Sequence, residues 1–413
     1  MTTTRLQRRA CAAIGALALC GLAADHLAPG HAAGAAAQRG VDQYERDQLR
    51  KRERDRIFRA LSDGVIRMRK ASYASIADGL DIPVYIFEPL ELRGARGHPA
   101  LVWIHGGVHG DLDPLYFPFI KEALDRGYVV LAPEYRGSTG YGRAHQEAID
   151  YGGYEVEDCL TAVSYMAGQM PYVDPERLGV IGWSHGGFIA MHAVFRDQAA
   201  FKAAAAMVPV TNLIFRLSFK GPRYAERFVQ QKRIGGQVHE RRRLYVERSP
   251  LYQIDRLRTP LLVHVADNDR DVDFEEAQQL IHALEYKKPH LAETRIYANP
   301  PVDQFGDGHM FNRRVDRARG YVRADSRAQR DSWNRIWTFL EWHLEPYRVS
   351  SHGAAPQAPG HPAPACPGRA VRGLNLVQVW EKSLGPRAVA RRRCWRSTSR
   401  SCSPTRCSNR CCA

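Results

Sequence analysis

The sequence predicts an α/β protein with a mostly parallel central sheet and helices on both of its faces. From residue 99 onward, short apolar runs of strand length alternate with amphipathic stretches of helical period. The segment 182–187, GWSHGG, lies between an apolar run and a helix-like stretch. A serine with a glycine two residues before it and another two residues after it, between a buried strand and a helix, is typical of a nucleophile elbow. In such sheets the site forms at the carboxyl ends of the strands, where Ser184 would lie.

The predicted elements follow one another with short connections. Residues 41–70 carry apolar side chains at helical intervals and predict a charged surface helix, and residues 72–89 predict a β-hairpin that turns at Asp78-Gly79. The apolar positions of that helix are Leu49, Ile57, Leu61, Val65 and Met68. Later strands are predicted at 100–104, 128–132, 177–181, 203–208, 260–265 and 294–297. Helices are predicted at 114–125, 154–170, 188–195, 274–286 and 332–345, with a helical insertion at 211–249 after the sixth strand.

The two ends of the chain differ in composition from the rest. Arg5, Arg8 and Arg9 precede an apolar run over 10–24, and small residues at 35–37 offer a cleavage site, so residues 1–37 predict a signal peptide of an exported, periplasmic or secreted protein. The apolar run is too short for a membrane span, and no transmembrane segment is expected after its removal. Residues 350–413 show no sustained hydrophobic period. A disordered basic tail and a read-through or frame-shifted C terminus both stay open as interpretations.

The net charge of +15 does not predict a nucleic-acid partner. Residues 351–413 hold eleven Lys and Arg against one acid, so most of the excess lies in the tail. Between the two ends, residues 38–71 form the charged helical segment and residues 72–349 the predicted catalytic domain. Cys159 is the lone cysteine of that central region, which predicts a buried core thiol without an internal disulfide. The sequence leaves the oligomeric state open.

Two further residues complete a candidate catalytic triad with Ser184. A serine hydroxyl needs a base to take its proton and a third group to orient that base. The predicted strand at 260–265 is followed by an acidic loop that contains Asp269, and the next strand is followed by His309 between glycine-rich neighbours. The order nucleophile, acid, histidine is that of hydrolases built on such a sheet. We therefore predict Ser184 as nucleophile, Asp269 as acid and His309 as base.

The oxyanion of an acyl-transfer intermediate needs backbone donors. We expect one from the N–H of His185, which follows the nucleophile. The second is expected from the loop after the strand at 100–104, which carries His105, Gly106 and Gly107. That loop would otherwise be a simple turn, or His105 and His109 would form a metal-binding pair. No third ligand stands nearby in the sequence, so no metal site is predicted.

With these residues in view, the chain resembles the catalytic domain of the prolyl oligopeptidase family of serine peptidases over residues 72–346. The resemblance is carried by the segments HGG at 105–107, PEYRGSTGYG at 133–142, GWSHGG at 182–187, DRDV at 269–272 and GH at 308–309. It implies an α/β-hydrolase fold and an enzyme that cleaves peptide bonds through an acyl-enzyme, without a metal or organic cofactor. It also implies a pocket for the residue before the scissile bond, walled by Tyr224, Val210 and Val272 with Phe228 nearby. Tyr224 and Phe228 would otherwise only pack the insertion onto the core.

The substrate class stays open at this stage. Large members of that family carry an N-terminal β-propeller, and about fifty residues between the predicted leader and Leu90 are too few for one. Relatives without a propeller include peptidases, carboxylesterases and carbohydrate esterases, and the fold does not choose among them. The expected substrate is a peptide or a small ester. A more distant alternative is a non-catalytic surface-binding protein that uses the hydrolase fold as a scaffold.

Overall fold

The computed structural model describes residues 42–347. The predicted signal peptide and the predicted basic tail lie outside the described residues. The strands are β1 (Ile66–Ala74), β2 (Asp81–Pro89), β3 (His98–Ile104), β4 (Val129–Pro133), β5 (Val173–Trp183), β6 (Ala203–Met207), β7 (Leu261–Ala266), β8 (Ala292–Tyr297), β9 (Val315–Asp316) and β10 (Val322–Arg323). The α-helices are α1 (Gln43–Ser62), α2 (Phe117–Asp125), α3 (Arg143–Glu147), α4 (Tyr154–Gln169), α5 (His185–Arg196), α6 (Leu213–Lys220), α7 (Pro222–Val229), α8 (Arg242–Glu247), α9 (Phe274–Lys287) and α10 (Arg327–Leu344). Two 3-10 helices cover Pro114–Tyr116 and Pro250–Arg256.

Eight strands form one sheet in the order β1-β2-β4-β3-β5-β6-β7-β8. The hairpin of β1 and β2 is antiparallel and joins β4 in antiparallel register. All the other neighbouring strands of this sheet are parallel. The predicted α/β class is therefore confirmed, and α6 to α8 occupy the predicted helical insertion after β6. Sequence reasoning did not predict α3 or the small β9-β10 hairpin.

The sheet is covered on both faces, and its central strands consist mainly of buried apolar residues, without exception on β4 and β6. On β3, Ala100, Val102 and Ile104 join a cluster on one face. Leu101 and Trp103 join a second cluster on the other face. Alternate side chains of a strand point to opposite faces, so a continuous apolar run is what a doubly covered strand requires. Cys159 lies buried in the first of these clusters, as a core thiol.

The N-terminal helix departs from its prediction in length and in orientation. It ends at Ser62, before Val65 and Met68, because a turn at Gly64 with a φ of 66° leads into β1. Residues 66–70 gain ladder hydrogen bonds to β2 instead of continuing the helix. The face that α1 buries carries Lys51, Asp55, Phe58 and Ser62, whereas Leu49 is exposed. Of the predicted apolar positions, Leu61 packs half-buried against the core, whereas Leu49 and Val65 are exposed. Phe58 and several polar contacts dock this helix instead of a continuous apolar stripe.

A buried lysine connects α1 to the segments that follow β3 and β4. The Lys51 ammonium donates to Glu134 Oε1 at 2.5 Å and to the Leu112 carbonyl at 3.1 Å, and Asp111 Oδ2 lies 3.1 Å away. Burial lowers the pKa of Lys51, but the charges of Glu134 and Asp111 raise it further, and the net shift is upward. Lys51 is therefore charged at neutral pH. Among the described helices, none combines the length and apolar character needed to cross a membrane.

We predict that Lys51→Met destabilises the protein by about 3–5 kcal/mol, because it leaves the fully buried Glu134 without its cation. Urea unfolding followed by tryptophan fluorescence measures this loss. The double variant Lys51→Met with Glu134→Gln should recover part of it, since the uncompensated charge is removed. Arg56→Met is the matched control, because Arg56 forms only an exposed pair with Glu53 on the same helix. An unfolding midpoint of Lys51→Met equal to that of the control would contradict the role given to this contact.

Candidate active site

Ser184 lies at the sharp turn between β5 and α5. Its φ of 54° and ψ of −119° place it in a region that L-residues rarely adopt. The Ser184 N–H donates to the Met207 carbonyl at the end of β6, at 2.9 Å. A Cβ at Gly182 would collide with the Gly186 carbonyl, and a Cβ at Gly186 would collide with the carbonyl of Ile104. Glycine is required at both positions for steric reasons, which explains the spacing seen in the sequence.

Asp269 and His309 meet across the loops that follow β7 and β8. His309 Nδ1 donates to Asp269 Oδ2 at 2.8 Å. The other carboxylate oxygen of Asp269 accepts the backbone N–H groups of Asp271 at 3.0 Å and Val272 at 2.9 Å. These bonds fix the carboxylate, and the carboxylate fixes the imidazole with its proton on Nδ1. Nε2 is then left to act as the base.

The histidine loop is tied to the acid loop by short polar contacts. The Gly308 N–H donates to the Asn268 carbonyl at 3.1 Å, where a side chain on residue 308 would collide with Asn268. Asp307 Oδ1 accepts the N–H of His309 at 2.8 Å and the N–H of Arg270 at 3.1 Å. The pairing of Asp269 with His309 therefore rests on several backbone contacts.

The face of His309 opposite Asp269 meets a second carboxylate. Asp271 Oδ2 lies 3.5 Å from Nε2, and Asp271 is also paired with Lys220 at 2.6 Å. Within residues 42–347 the structure records no hydrogen bond from Ser184 Oγ to His309. Catalytic hydrogen bonds of this type are often long without substrate and shorten when it binds. The structure thus places Ser184 after β5, Asp269 after β7 and His309 after β8, at one edge of the sheet, with the acid and base directly bonded.

Opposing effects act on the pKa of His309. Burial lowers it most, but the charge of Asp269, its hydrogen bond and the charge of Asp271 together raise it, while Arg313 opposes them. The net result is a pKa above the ordinary value of a histidine. Asp271 itself is ionised, because His309, Arg216 and Lys220 overcome its burial and lower its pKa to about 2.

The loop predicted to hold the oxyanion donors lies against the nucleophile. A Cβ at Gly106 would lie 3.4 Å from Ser184 Cβ and 3.1 Å from the Trp183 carbonyl. The N–H of Gly106 donates to the Tyr116 hydroxyl at 2.9 Å, so it is already engaged. For the N–H groups of Gly107 and His185, no acceptor is recorded in the described part of the chain. These two are the candidate oxyanion donors.

His105 and His185 turn their imidazole rings away from the nucleophile. The ring of His105 stacks on Tyr135 with centroids 4.4 Å apart, and its Nε2 lies 3.0 Å from Ser138 Oγ. The ring of His185 packs edge-on against Tyr151 at 4.4 Å, and burial lowers its pKa. Only the backbone of His185 therefore faces the reaction. Over residues 42–347 no group of three His, Cys, Asp or Glu side chains is arranged to hold a metal ion.

The predicted pocket residues form one connected patch beside the acid loop. Val210, Val272 and Phe228 are buried, and the half-buried ring of Tyr224 stacks on Phe228 with centroids 6.2 Å apart. The hydroxyl of Tyr224 accepts from Arg216 Nε at 3.2 Å. Of these four residues, only Tyr224 is exposed enough to contact a substrate. The other three are buried behind its ring.

Four residues near the site were not predicted: Arg216, Asp271, Tyr116 and Arg313. Asp271 follows the predicted acid by two positions, but its contact with His309 Nε2 depends on the loop conformation, which the sequence does not give. Arg216 lies 6% exposed in the insertion and donates to the Asp271 carbonyl at 3.0 Å. Tyr116 ends a 3-10 helix and Arg313 lies in a loop 197 residues later in the chain, and no local pattern links them.

Comparisons with known proteins identify the family of this chain. Residues 116–344 match the prolyl oligopeptidase family. The chain is 32% identical over 225 residues to the uncharacterized peptidase YuxL of Bacillus subtilis, covering 54% of this chain and 33% of that protein. It is 28% identical over 276 residues to the acylamino-acid-releasing enzyme of Arabidopsis thaliana, covering 63% of this chain and 34% of that enzyme. The chain thus spans about a third of the length of these curated relatives.

Solved structures give the same result. A puromycin-hydrolyzing peptidase of Mycobacterium tuberculosis superposes with a TM-score of 0.54 at 27% identity, over 68% of this chain and 39% of that one. An acylaminoacyl peptidase in complex with Z-Gly-Gly-Phe-chloromethyl ketone gives a TM-score of 0.56 at 19% identity, over 71% and 45% of the two chains, which supports the fold alone. With its matched segment covering more than half of the sequence, this chain belongs to the prolyl oligopeptidase family of serine peptidases.

Proposed function

We propose that this protein hydrolyses peptide bonds as a serine peptidase, with Ser184 as nucleophile, His309 as base and Asp269 as the group that orients the base. The observation that carries the proposal is the 2.8 Å bond between His309 and Asp269 at the strand ends next to the strained turn of Ser184. Membership of a peptidase family supports the same chemistry. The names of two matched relatives, acylamino-acid-releasing enzyme and puromycin-hydrolyzing peptidase, describe enzymes that cleave amide-type bonds.

The proposed reaction proceeds in two halves. His309 Nε2 takes the proton of Ser184 Oγ as that oxygen attacks the scissile carbonyl carbon. The N–H groups of His185 and Gly107 stabilise the negative oxygen that forms. His309 then gives its proton to the leaving amine, the C–N bond breaks, and the acyl group stays on Ser184. A water molecule, deprotonated by His309, hydrolyses this ester and restores the enzyme.

The acyl side of the substrate would lie against Tyr224. This ring stands at the edge of the buried patch of Val210, Val272 and Phe228, and Arg216 holds its hydroxyl. An aromatic wall with an apolar backing favours a substrate residue with an apolar side chain before the scissile bond.

We also propose that the protein is exported. The supporting pattern is the group Arg5, Arg8 and Arg9 before the apolar run at 10–24, followed by small residues at 35–37. Expression in a bacterial host, with fractionation and N-terminal sequencing, tests this. We expect a mature chain outside the cytoplasm that begins near Gln38, and an unprocessed cytoplasmic chain would contradict the proposal.

We predict that the full chain cleaves a peptide anilide and the matched acyl ester, and that Ser184→Ala lowers both rates by at least about a thousand-fold. Ser218→Ala is the control, because Ser218 is an exposed residue of α6. Cleavage of the ester alone would assign a carboxylesterase instead, since only an amide requires His309 to protonate a poor leaving group. Activity that survives in Ser184→Ala would contradict the mechanism.

The dependence of kcat/KM on pH should report the environment of His309. Only neutral His309 can accept the serine proton, and its pKa is raised, so activity should fall with falling pH through a midpoint above about 6.5. Asp271→Asn removes an anion that favours the protonated ring, and the midpoint should move to lower pH. Glu176→Gln, an exposed charge removal on β5 outside the site, should leave the midpoint in place. A midpoint that rises in Asp271→Asn would contradict the assignment.

A further inference from the structure

A cavity of about 520 Å³ lies between α1 and the segment that follows β3, with Arg313 also in its wall. Gly106 and Tyr116 line it near the nucleophile, and Arg50 and Arg54 of α1 line another part of its wall. Gly106 links this cavity to the nucleophile, because a Cβ built on this glycine would lie 3.4 Å from Ser184 Cβ and 3.6 Å from Arg313 Nη1. Its size lies within the range of roughly 300–1,000 Å³ that small-ligand pockets occupy.

The charged groups of this cavity are paired, with one exception. The Asp47 carboxylate accepts from Arg50 at 2.9 Å, and Asp113 lies 3.1 Å from Arg54, which also binds Asp111. Arg313 lines the same cavity, and within residues 42–347 no carboxylate pairs with it. Its Nη1 donates to the Tyr116 hydroxyl, its Nη2 lies 2.8 Å from Met310 Sδ, and its buried Nε has no partner in the described chain. A half-buried guanidinium without an anion is costly unless a ligand supplies one.

Tyr116 adds a second donor to this arrangement. Its hydroxyl oxygen accepts from the Gly106 N–H at 2.9 Å and from Arg313. Burial raises the pKa of Tyr116, against the lowering effect of Arg313 and the Gly106 N–H, so the hydroxyl keeps its proton. That proton has no acceptor recorded in the part of the chain that the structure describes. A carboxylate at this position would receive charge-assisted hydrogen bonds from Arg313 and a bond from Tyr116.

The position of the cavity indicates that it receives the leaving group of the substrate, the part that follows the scissile bond. Val210 follows β6 and Val272 follows β7, whereas Gly106 follows β3, on the other side of β5 in the sheet. Acyl group and leaving group extend in opposite directions from the attacked carbonyl. His309, which would protonate the leaving amine, and Arg313 belong to one compact loop in which the Arg313 N–H donates to the Met310 carbonyl at 3.0 Å. The residue after the scissile bond would therefore enter between Gly106 and Arg313.

We propose that this cavity binds the free C-terminal carboxylate of a short peptide substrate through Arg313, with Tyr116 as the second donor. This rests on the proposed peptidase function and adds its substrate class. The scissile bond would lie one or two residues from the C terminus of the substrate, because α1 supplies a wall that restricts a longer leaving group. Arg313 is a specificity-determining residue in this assignment, with no part in proton transfer.

The test compares matched peptides that differ only at the C terminus, as free acid or as amide, with one residue after the scissile bond. For the full chain we expect kcat/KM about ten- to a hundred-fold higher for the acid. The preference should appear mainly in KM, because the carboxylate is bound equally before and during the reaction. Arg313→Gln should bring the ratio of acid to amide close to one, and Arg313→Lys should restore part of it. Arg56→Gln, an exposed position on α1 outside the cavity lining, should keep the full ratio.

The ratio of kcat/KM for the acid peptide to kcat/KM for the amide peptide does not depend on the effect of Arg313 on the pKa of His309. Both peptides are measured on the same variant at one pH. Cleavage of a peptide anilide, whose leaving group has no carboxylate, reports separately whether the variant is folded and active. If the unaltered chain does not cleave the anilide, the proposed peptidase function itself is overturned. Equal kcat/KM for acid and amide in an active unaltered chain, or an unchanged ratio in Arg313→Gln, would overturn the carboxylate site alone.

Discussion

The close approach of the turn at 182–186 to the end of β3 is the constraint on which the site depends. Backbone atoms of Gly186 lie so near the carbonyls of Ile104 and His105 that any side chain there would collide with them. This contact brings the helix start after Ser184 and the loop with Gly106 and Gly107 to opposite sides of one reaction centre. The positive φ of Ser184 is the local cost of the arrangement, at about 1–3 kcal/mol for such a residue. The apolar parallel strands around it over-determine the turn and hold it in place.

Much of this arrangement could be predicted from the sequence because its determinants are local or ordered. Gly182 and Gly186 are needed because a side chain at either position would collide with the backbone, and this holds wherever the motif occurs. The order of Ser184, Asp269 and His309 follows from parallel strands that end at one edge of the sheet. Uniformly apolar runs identified the central strands, since a strand covered on both faces needs no polar alternation. The geometry of Asp269 is local in the same sense, because its carboxylate binds N–H groups two and three residues away.

What could not be predicted depends on contacts between residues far apart in the chain. The burial of Lys51 follows from Glu134, which lies 83 residues later, and hydrophobic periodicity ranks a lysine as exposed. The end of α1 was misplaced for a related reason, because pairing with β2 decided the conformation of residues 66–70. The meeting of Tyr116 with Arg313 likewise has no local signature. These misses fall on charged and polar contacts, where the cost of burial is offset only by a partner that the linear sequence does not reveal.

The polar docking face of α1 has a consequence for the order in which the chain folds. Glu134 is synthesised 83 residues after Lys51, so the buried ammonium lacks this carboxylate while the intervening hairpin and strands emerge. The hairpin of β1 and β2 can meet Asp55 and Phe58 of the helix before then, through Lys70, Tyr85 and Phe87. An amphipathic helix with an apolar face would expose hydrophobic surface during that interval and would favour aggregation. The face with Lys51, Asp55 and Ser62 is hydrated instead, and Phe58 is the one apolar residue among the four that α1 buries fully. Before it docks, the helix therefore stays soluble. The ion pair between Lys51 and Glu134 forms only after β4 has joined the sheet.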